Sequence, residues 1–252
     1  MDFRSAGGPG AGGFLEPPVD RPAQLEEEEP AKMPDGHFLI MLQDRLRCPL
    51  CPAGARCQHR SAAGIVCNEP LDRRGKHPLK CEVGKARTGR HDSLRDFTAK
   101  YHHKVTGLAT VKEQRVVAWD RVNLQTGVME EAKLDIATRD AVTGRKIFID
   151  TTVTCAHSGY MPRQRARSNK DGLAASNAVD VKRTRYPPSG GELVPAAFEA
   201  GGRPAEEMVA YVRTWGHGLE PAERTQVIRY AWQQYSTLLQ VGNAEMILGA
   251  IG

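Results

Sequence analysis

An aspartate in the middle of an apolar β-type segment constrains the fold of this 252-residue chain more than any other feature. The segment 145–155 reads RKIFIDTTVTC. Its alternation places Ile147 and Ile149 on one face, and Phe148, Asp150 and Thr152 on the other. Burying a carboxylate beside such neighbours costs on the order of several kcal/mol unless it is neutralised or binds a cation. The segment therefore predicts a strand of a central sheet with a functional acid at its centre.

A second acid lies on the preceding strand. The segment 132–138, AKLDIAT, carries Asp135, and the turn 141–144 joins it to the next strand as a hairpin. Two carboxylates on adjacent strands can converge on one hard cation, Mg²⁺ or Mn²⁺. A third could come from Glu113 on the strand predicted at 110–117. Metal-assisted phosphodiester cleavage needs such a set, so Asp135, Asp150 and Glu113 are the predicted Mg²⁺ ligands.

The remaining periodicities predict the other elements. A helix begins at Arg90, with Leu94, Phe97 and Tyr101 at helical spacing, and a later helix runs from about 174 to 182. Between the hairpin and that later helix lies a basic loop with Arg163, Arg165 and Arg167, and Tyr186-Pro187-Pro188 ends the helix. A strand at 193–199 and helices at 203–215 and about 221–240 follow. This order predicts an α/β fold, with one mixed central sheet flanked by helices.

Five of the six cysteines fall between residues 48 and 81, a stretch without enough apolar residues for a core. Bound Zn²⁺ would supply the missing stability, because thiolates and imidazoles are its preferred ligands. Cys67, His77 and Cys81 are the best candidate ligands, and the fourth stays open among Cys48, Cys51 and Cys57. A second Zn²⁺, completed by His59 or His91, is also compatible with the spacing.

Composition along the chain predicts the domain boundaries and the cellular compartment. Residues 1–36 are rich in Gly, Pro and Glu and are expected to be disordered; 37–89 form a helix plus the zinc-binding segment, and 90–252 form the α/β domain. The net charge of +5 favours a polyanionic partner. We see neither a signal peptide nor an apolar run long enough for a bilayer, so we expect a nuclear or cytoplasmic protein without a membrane partner.

The chain resembles the restriction-like, PD-(D/E)XK, endonuclease region at the C-terminal end of non-LTR retrotransposon polyproteins. The features that carry the resemblance are the cysteine–histidine knuckle, Arg90-His91-Asp92, Asp135, the stretch Asp150 to Thr154, Lys182 to Tyr186, and Leu193 to Gly201. The resemblance covers about residues 37–251. Two positions depart from the pattern: Leu134 stands in place of a Pro, and Thr152 in place of a Lys. In this branch the lysine has moved to the following helix, which implies that Lys182 takes its role.

The resemblance implies a DNA endonuclease, expected to nick one strand, with Asp135, Asp150, Glu113 and Lys182 as catalytic residues. DNA is the expected partner, with the RNA of the element as another, and no small-molecule cofactor is implied. Thr152 leaves open the alternative of a catalytically inactive, zinc-dependent nucleic-acid-binding protein of the same fold. Cleavage that needs Mg²⁺ would distinguish the two readings.

Overall fold

The computed structural model describes residues 32–156 and 169–252. The segment expected to be disordered lies outside the described residues except for 32–36. The basic loop with Arg163, Arg165 and Arg167 lies outside them entirely.

Four strands form a mixed sheet, and two more form a small separate hairpin. In chain order the strands are β1 (Val111–Arg115), β2 (Arg121–Val122), β3 (Met129–Glu130), β4 (Lys133–Arg139), β5 (Lys146–Thr154) and β6 (Glu192–Glu199). The sheet order is β1-β4-β5-β6, and β2 pairs with β3 alone. The pairs β1–β4 and β4–β5 are antiparallel, whereas β5–β6 is parallel. The predicted mixed central sheet is therefore confirmed.

Five α-helices surround the sheet in the described part of the chain. They are α1 (Asp35–Arg45), α2 (Ala86–Thr106), α3 (Leu173–Arg185), α4 (Glu206–Thr214) and α5 (Pro221–Ile251). From α2 onward, with the β2–β3 hairpin set aside, the elements follow the predicted order α-β-β-β-α-β-α-α. No helix among the described residues is long and apolar enough to cross a membrane.

The predicted end of the last helix near residue 240 is wrong, because α5 continues to Ile251. Gly242 and Asn243 lie at the point where the helix was expected to stop. A Cβ on Gly242 would lie 2.6 Å from Cγ of Arg90, so only glycine lets α2 approach this closely. Asn243 accepts a hydrogen bond from Arg90 and donates one to the carbonyl of Ala200. Tertiary packing therefore outweighs the weak helix propensity of both residues.

The two faces of the sheet are covered by different elements. On one face, Ile147, Ile149 and Phe198 pack in the main core with α2, α4 and α5, whose aromatic residues include Tyr235 and Tyr211. On the other face, Phe148 packs with Trp119 and Leu134, while Ala197 packs with Val179 of α3. The predicted facing of the β5 side chains is confirmed.

The cysteine-rich segment packs on the end of α5. Leu50, Leu71 and Met41 form a small apolar cluster with Ala244 and Ile247 of that helix. The main core uses an earlier part of α5, for example Val227 and Leu239. One continuous helix therefore contributes to both cores.

Candidate functional site

The β4–β5 hairpin brings the two predicted aspartates together. The backbone N–H of Thr151 donates to Oδ2 of Asp135 over 2.6 Å, so the Asp135 carboxylate lies beside the peptide that follows Asp150. The Asp135 carboxylate is close enough to contribute to raising the pKa of Asp150. Antiparallel pairing of two acid-bearing strands therefore places two negative groups in one small region.

Asp150 is buried and in contact with a lysine. The residue is 5% exposed, and Nζ of Lys182 lies 2.6 Å from its Oδ2. Apart from this close ion pair, Oδ2 has no hydrogen-bond partner among the described residues. Burial raises the pKa of Asp150 more than the ammonium of Lys182 lowers it. Such a carboxylate gains from any further cation that reaches it.

Lys182 arrives at Asp150 from α3, as the resemblance implied. The helix packs through Ala175 and Val179 against Ala197 of the neighbouring strand. Lys182 lies three residues after Val179, on the adjoining part of the helix surface. The packing of α3 on β6 therefore directs a lysine to the buried acid.

His91 is a member of this site that the sequence did not assign to it. Its Nε2 lies 3.0 Å from Oδ2 of Asp135, and its Nδ1 lies 3.2 Å from Oδ1 of Asp92. The hydrogen bond to Asp135 raises the pKa of His91, and Asp92 raises it further. Its position one turn into α2, next to Arg90 and Asp92, was the available signal. The structure thus places His91 on Asp135 and outside the cysteine cluster, where it had been considered as a zinc ligand.

The structure places Glu113 on the exposed edge strand β1. Its carboxylate lies 2.7 Å from Nη1 of Arg95 and its side chain is 62% exposed. The backbone at Glu113 has a left-handed φ of 57°. Its neighbours Lys112 and Gln114 are paired with residues of β4, but Glu113 is not among the paired residues. Its recorded contact is with Arg95, and it is not brought to Asp150. Its assignment as a third Mg²⁺ ligand stays a prediction.

Two neighbours of the acid pair behave as packing residues. Tyr186 packs on the ring of Trp119, with 5.3 Å between the ring centroids. Burial raises the pKa of Tyr186, and the charge of Asp150 raises it further. Thr152, which stands where the motif has a lysine, is half-buried at the end of the same strand face. The cation near Asp150 is therefore Lys182 alone among the described residues that contact it.

Four side chains of the cysteine-rich segment form the one cluster of three or more potential metal ligands in the described part of the chain. They are Cys57, Cys67, His77 and Cys81, with all ligand atoms within 4.8 Å of one another. Sγ of Cys81 lies 3.7 Å from Sγ of Cys67 and 3.9 Å from Sγ of Cys57. Sγ of Cys67 lies 3.5 Å from Nε2 of His77. The cluster could hold a metal ion.

Backbone geometry brings these four residues together. Cys57 and Cys67 lie on two facing stretches, since the N–H of Asn68 donates to the carbonyl of Cys57 and the N–H of Cys67 to that of His59. The loop before His77 is held by Asp72, whose carboxylate accepts the backbone N–H groups of Arg74, Lys76 and His77. These hydrogen bonds lower the pKa of Asp72.

The structure resolves the open choice of the fourth ligand in favour of Cys57. Cys48 and Cys51 lie outside the ligand cluster, so the structure does not support the predicted contribution of the C-x-x-C pair. Cys51 is 2% exposed and packs in the apolar cluster with Leu50 and Ile247. Burial raises the pKa of its thiol, which is consistent with a packed neutral side chain. His59 is also buried outside the ligand cluster, and Cys155, predicted to be a buried small hydrophobe, is 7% exposed.

No protein-family model matches the chain, and no curated protein matches it either. Function must therefore be argued from the geometry of the two sites.

Proposed function

We propose that this chain is a metal-dependent DNA endonuclease of the restriction-like class, with a zinc-stabilised segment ahead of its catalytic sheet. The single observation that carries the proposal is the meeting of Asp135, Asp150 and Lys182. Two carboxylates and one ammonium, contributed by adjacent strands and the next helix, are the groups that hydrolysis of a phosphodiester needs.

The order of elements supports the same proposal. A helix, three antiparallel strands, a helix and a strand parallel to the third follow one another as α2-β1-β4-β5-α3-β6. The resemblance drawn from the sequence implies a mixed sheet of this kind, with acids on the second and third of these strands. Asp135 lies on β4 and Asp150 on β5.

The donor set suits a hard cation, since carboxylate oxygens are the ligands that Mg²⁺ prefers, and Oδ2 of buried Asp150 has Lys182 as its one partner among the described residues. Asp135 and Asp150 would hold the ion, which activates water and stabilises the leaving oxygen when bound. Lys182 is positioned to meet the negative charge that develops on the scissile phosphate. His91 fixes the orientation of the Asp135 carboxylate through its own hydrogen bond.

We assign Zn²⁺ to the cysteine cluster. A tetrahedral site with Zn–S bonds of about 2.3 Å requires sulfur atoms about 3.8 Å apart. The distances of 3.7 and 3.9 Å within the cluster match that requirement. Three cysteines and one histidine are a common ligand set for a closed, structural zinc site.

The second candidate is a nucleic-acid-binding protein that has lost the chemistry. Two observations favour it: Thr152 in place of the motif lysine, and a basic side chain already present on each carboxylate. In this reading Lys182 neutralises a buried acid and stabilises the fold.

Plasmid nicking by the purified full chain decides between these candidates. Wild type is assayed with Mg²⁺ and with EDTA, beside Asp150→Asn, Lys182→Met and the control Asp180→Asn, an exposed acid on α3. If the chain is an endonuclease, nicking should need Mg²⁺. The nicking rate should fall by about 10³-fold or more in the first two variants and stay unchanged in the control. Absence of nicking with retained, salt-sensitive DNA binding would establish the binding protein instead.

A further inference from the structure

A pocket of about 370 Å³ adjoins the acid pair and is not used by the chemistry proposed above. Its walls come from the end of the cysteine-rich segment, the start of α2, the end of β5 and one side of α3. Lys182 lines it, so the pocket begins beside the cation that contacts Asp150. Any group bound in the pocket would be a near neighbour of the scissile phosphate.

The pocket is electropositive. Lys80, Arg87, Arg90 and Lys182 line it, and two of them have an acidic partner: Arg87 pairs with Glu82, and Lys182 with Asp150. Arg90 is 3% exposed, and its Nε has no hydrogen-bond partner in the described part of the chain. A buried guanidinium N–H without a partner is unfavourable, and an anionic oxygen would satisfy it. These groups favour a phosphate as part of the ligand.

The rest of the lining is apolar or weakly polar. Its apolar members are Leu79, Val153, Ala178 and Val181, and the hydroxyl-bearing Thr152 and Thr154 also line it. An apolar wall beside a group of cations suits a ligand that has both an apolar part and a negatively charged part. A nucleotide has this composition.

Thr152 explains why the space is open at all. It occupies the position two residues after Asp150, on the same strand face, where the motif of the resembled family has a lysine. A lysine is several atoms longer than a threonine and would project into the lining of the pocket. The movement of the lysine to α3 therefore leaves a nucleotide-sized space beside the acid pair.

We propose that this pocket binds one unpaired nucleotide of the DNA strand being cleaved, next to the scissile phosphate. The inference rests on the proposed endonuclease function and specifies its substrate. A nucleotide whose base enters this pocket must leave the stack, which costs a few kcal/mol in a fully paired duplex. DNA that already carries an unpaired nucleotide at that position avoids this cost.

The test compares two labelled duplexes that differ only in one unpaired nucleotide beside the cleaved bond. Because 1.4 kcal/mol corresponds to a factor of ten, wild type should cleave the unpaired substrate at least about tenfold faster. Val181→Trp fills the pocket from a residue that is 67% exposed, so the fold should tolerate it, and it should remove that preference. Ser176→Trp, on an exposed part of the same helix, should keep it.

Charge is tested by binding to the unpaired duplex in EDTA, where no cleavage occurs. Arg87→Glu should weaken binding by about tenfold or more, since it reverses a charge in the lining. Arg145→Glu, at the opposite end of β5, should change binding less than about twofold.

The outcomes separate the two proposals. If wild type cuts with Mg²⁺ and needs Asp150, yet Val181→Trp keeps the preference, the pocket inference is overturned and the endonuclease stands. If wild type cuts nothing, the same duplexes are compared by binding. Tighter binding of the unpaired duplex, lost in Val181→Trp, supports the pocket without the chemistry; equal binding overturns it.

Discussion

The cysteine-rich segment and the sheet domain bury very different sets of side chains, although they share one helix. The segment around Cys57 and Cys81 has a few small apolar side chains and four potential metal ligands. The sheet domain buries a large cluster of aliphatic and aromatic side chains, among them Tyr235 and Phe198. A short, polar stretch can be ordered when ligand bonds replace buried area, whereas a long one folds by burial alone.

Removal of a zinc ligand should have the largest effect. Cys81→Ser should reduce bound zinc, measured by mass spectrometry, from one ion per chain to none. Hydrogen exchange should then speed up over residues 48–81 and stay slow in β5, because the sheet keeps its own core. Cys48→Ser, outside the ligand cluster, is the matched control and should retain the metal. Loss of protection in β5 as well would show that the two regions fold as one unit.

A cavity in the core of the sheet domain should have the next largest effect, and it should destabilise that domain without affecting the cysteine-rich segment. Phe198 is 1% exposed, and its replacement by Ala should lower the free energy of unfolding by about 3–5 kcal/mol. Urea denaturation measures the change, and Ile65→Ala, at a site 69% exposed, should cost little. Zinc content should not change in the folded variant. A Phe198→Ala protein without zinc would contradict the separation of the two stabilising mechanisms.

Acid should destabilise the sheet domain through His102. Burial lowers the pKa of His102 to about 4, with Asp140 opposing and His103 reinforcing the shift. An unfolded histidine has a pKa near 6.5, so the unfolded chain binds a proton between pH 6.5 and 4 while the folded chain does not. This depressed pKa should therefore remove roughly 3 kcal/mol of stability as the pH falls through that window.

The control for this pH effect is His102→Gln, which has no titrating ring. Its urea midpoint should fall less steeply than that of wild type between pH 6.5 and 4. Identical slopes would show that other groups cause the acid sensitivity.

The smallest expected effect concerns the edge of the sheet. Glu113 has a left-handed φ of 57°, which glycine adopts without strain and a β-branched residue does not. The free energy of unfolding of Glu113→Gly should lie within about 0.5 kcal/mol of the wild-type value, because relief of strain offsets the loss of an exposed ion pair. Glu113→Val should be less stable than Glu113→Gly by about 1–2 kcal/mol in urea denaturation. Equal stabilities would mean that the strand relaxes at this position.

Local patterns predicted most of the fold. The alternation of side chains and a turn with glycine predicted the β4–β5 hairpin. The prediction of which β5 side chains share a face with Asp150 was also correct. The end of α5 was not predictable, because Gly242 and Asn243 stop a helix in isolation. They continue it here through contacts with Arg90 on another element.

The site was less accessible from local patterns, because its members meet only in three dimensions. Cys48, Cys51 and Cys57 offer the same ligand chemistry, and spacing alone does not say which of them faces His77. The contact of His91 with Asp135 joins α2 to β4 across 44 positions of sequence. The pairing of Lys182 with Asp150 was reached through family resemblance, and no periodicity in the chain indicates it.

The kink at Glu113 also bears on how copies of the chain behave when they are crowded. β1 is an outer strand of the described sheet, and unpaired backbone groups on such a strand can template the strand of another molecule. Here the turned backbone at Glu113 interrupts that row, and Lys112 and Arg115 add charge to it. Two copies are thereby hindered from joining their sheets side by side, so β1 is a poor starting point for fibrous aggregates.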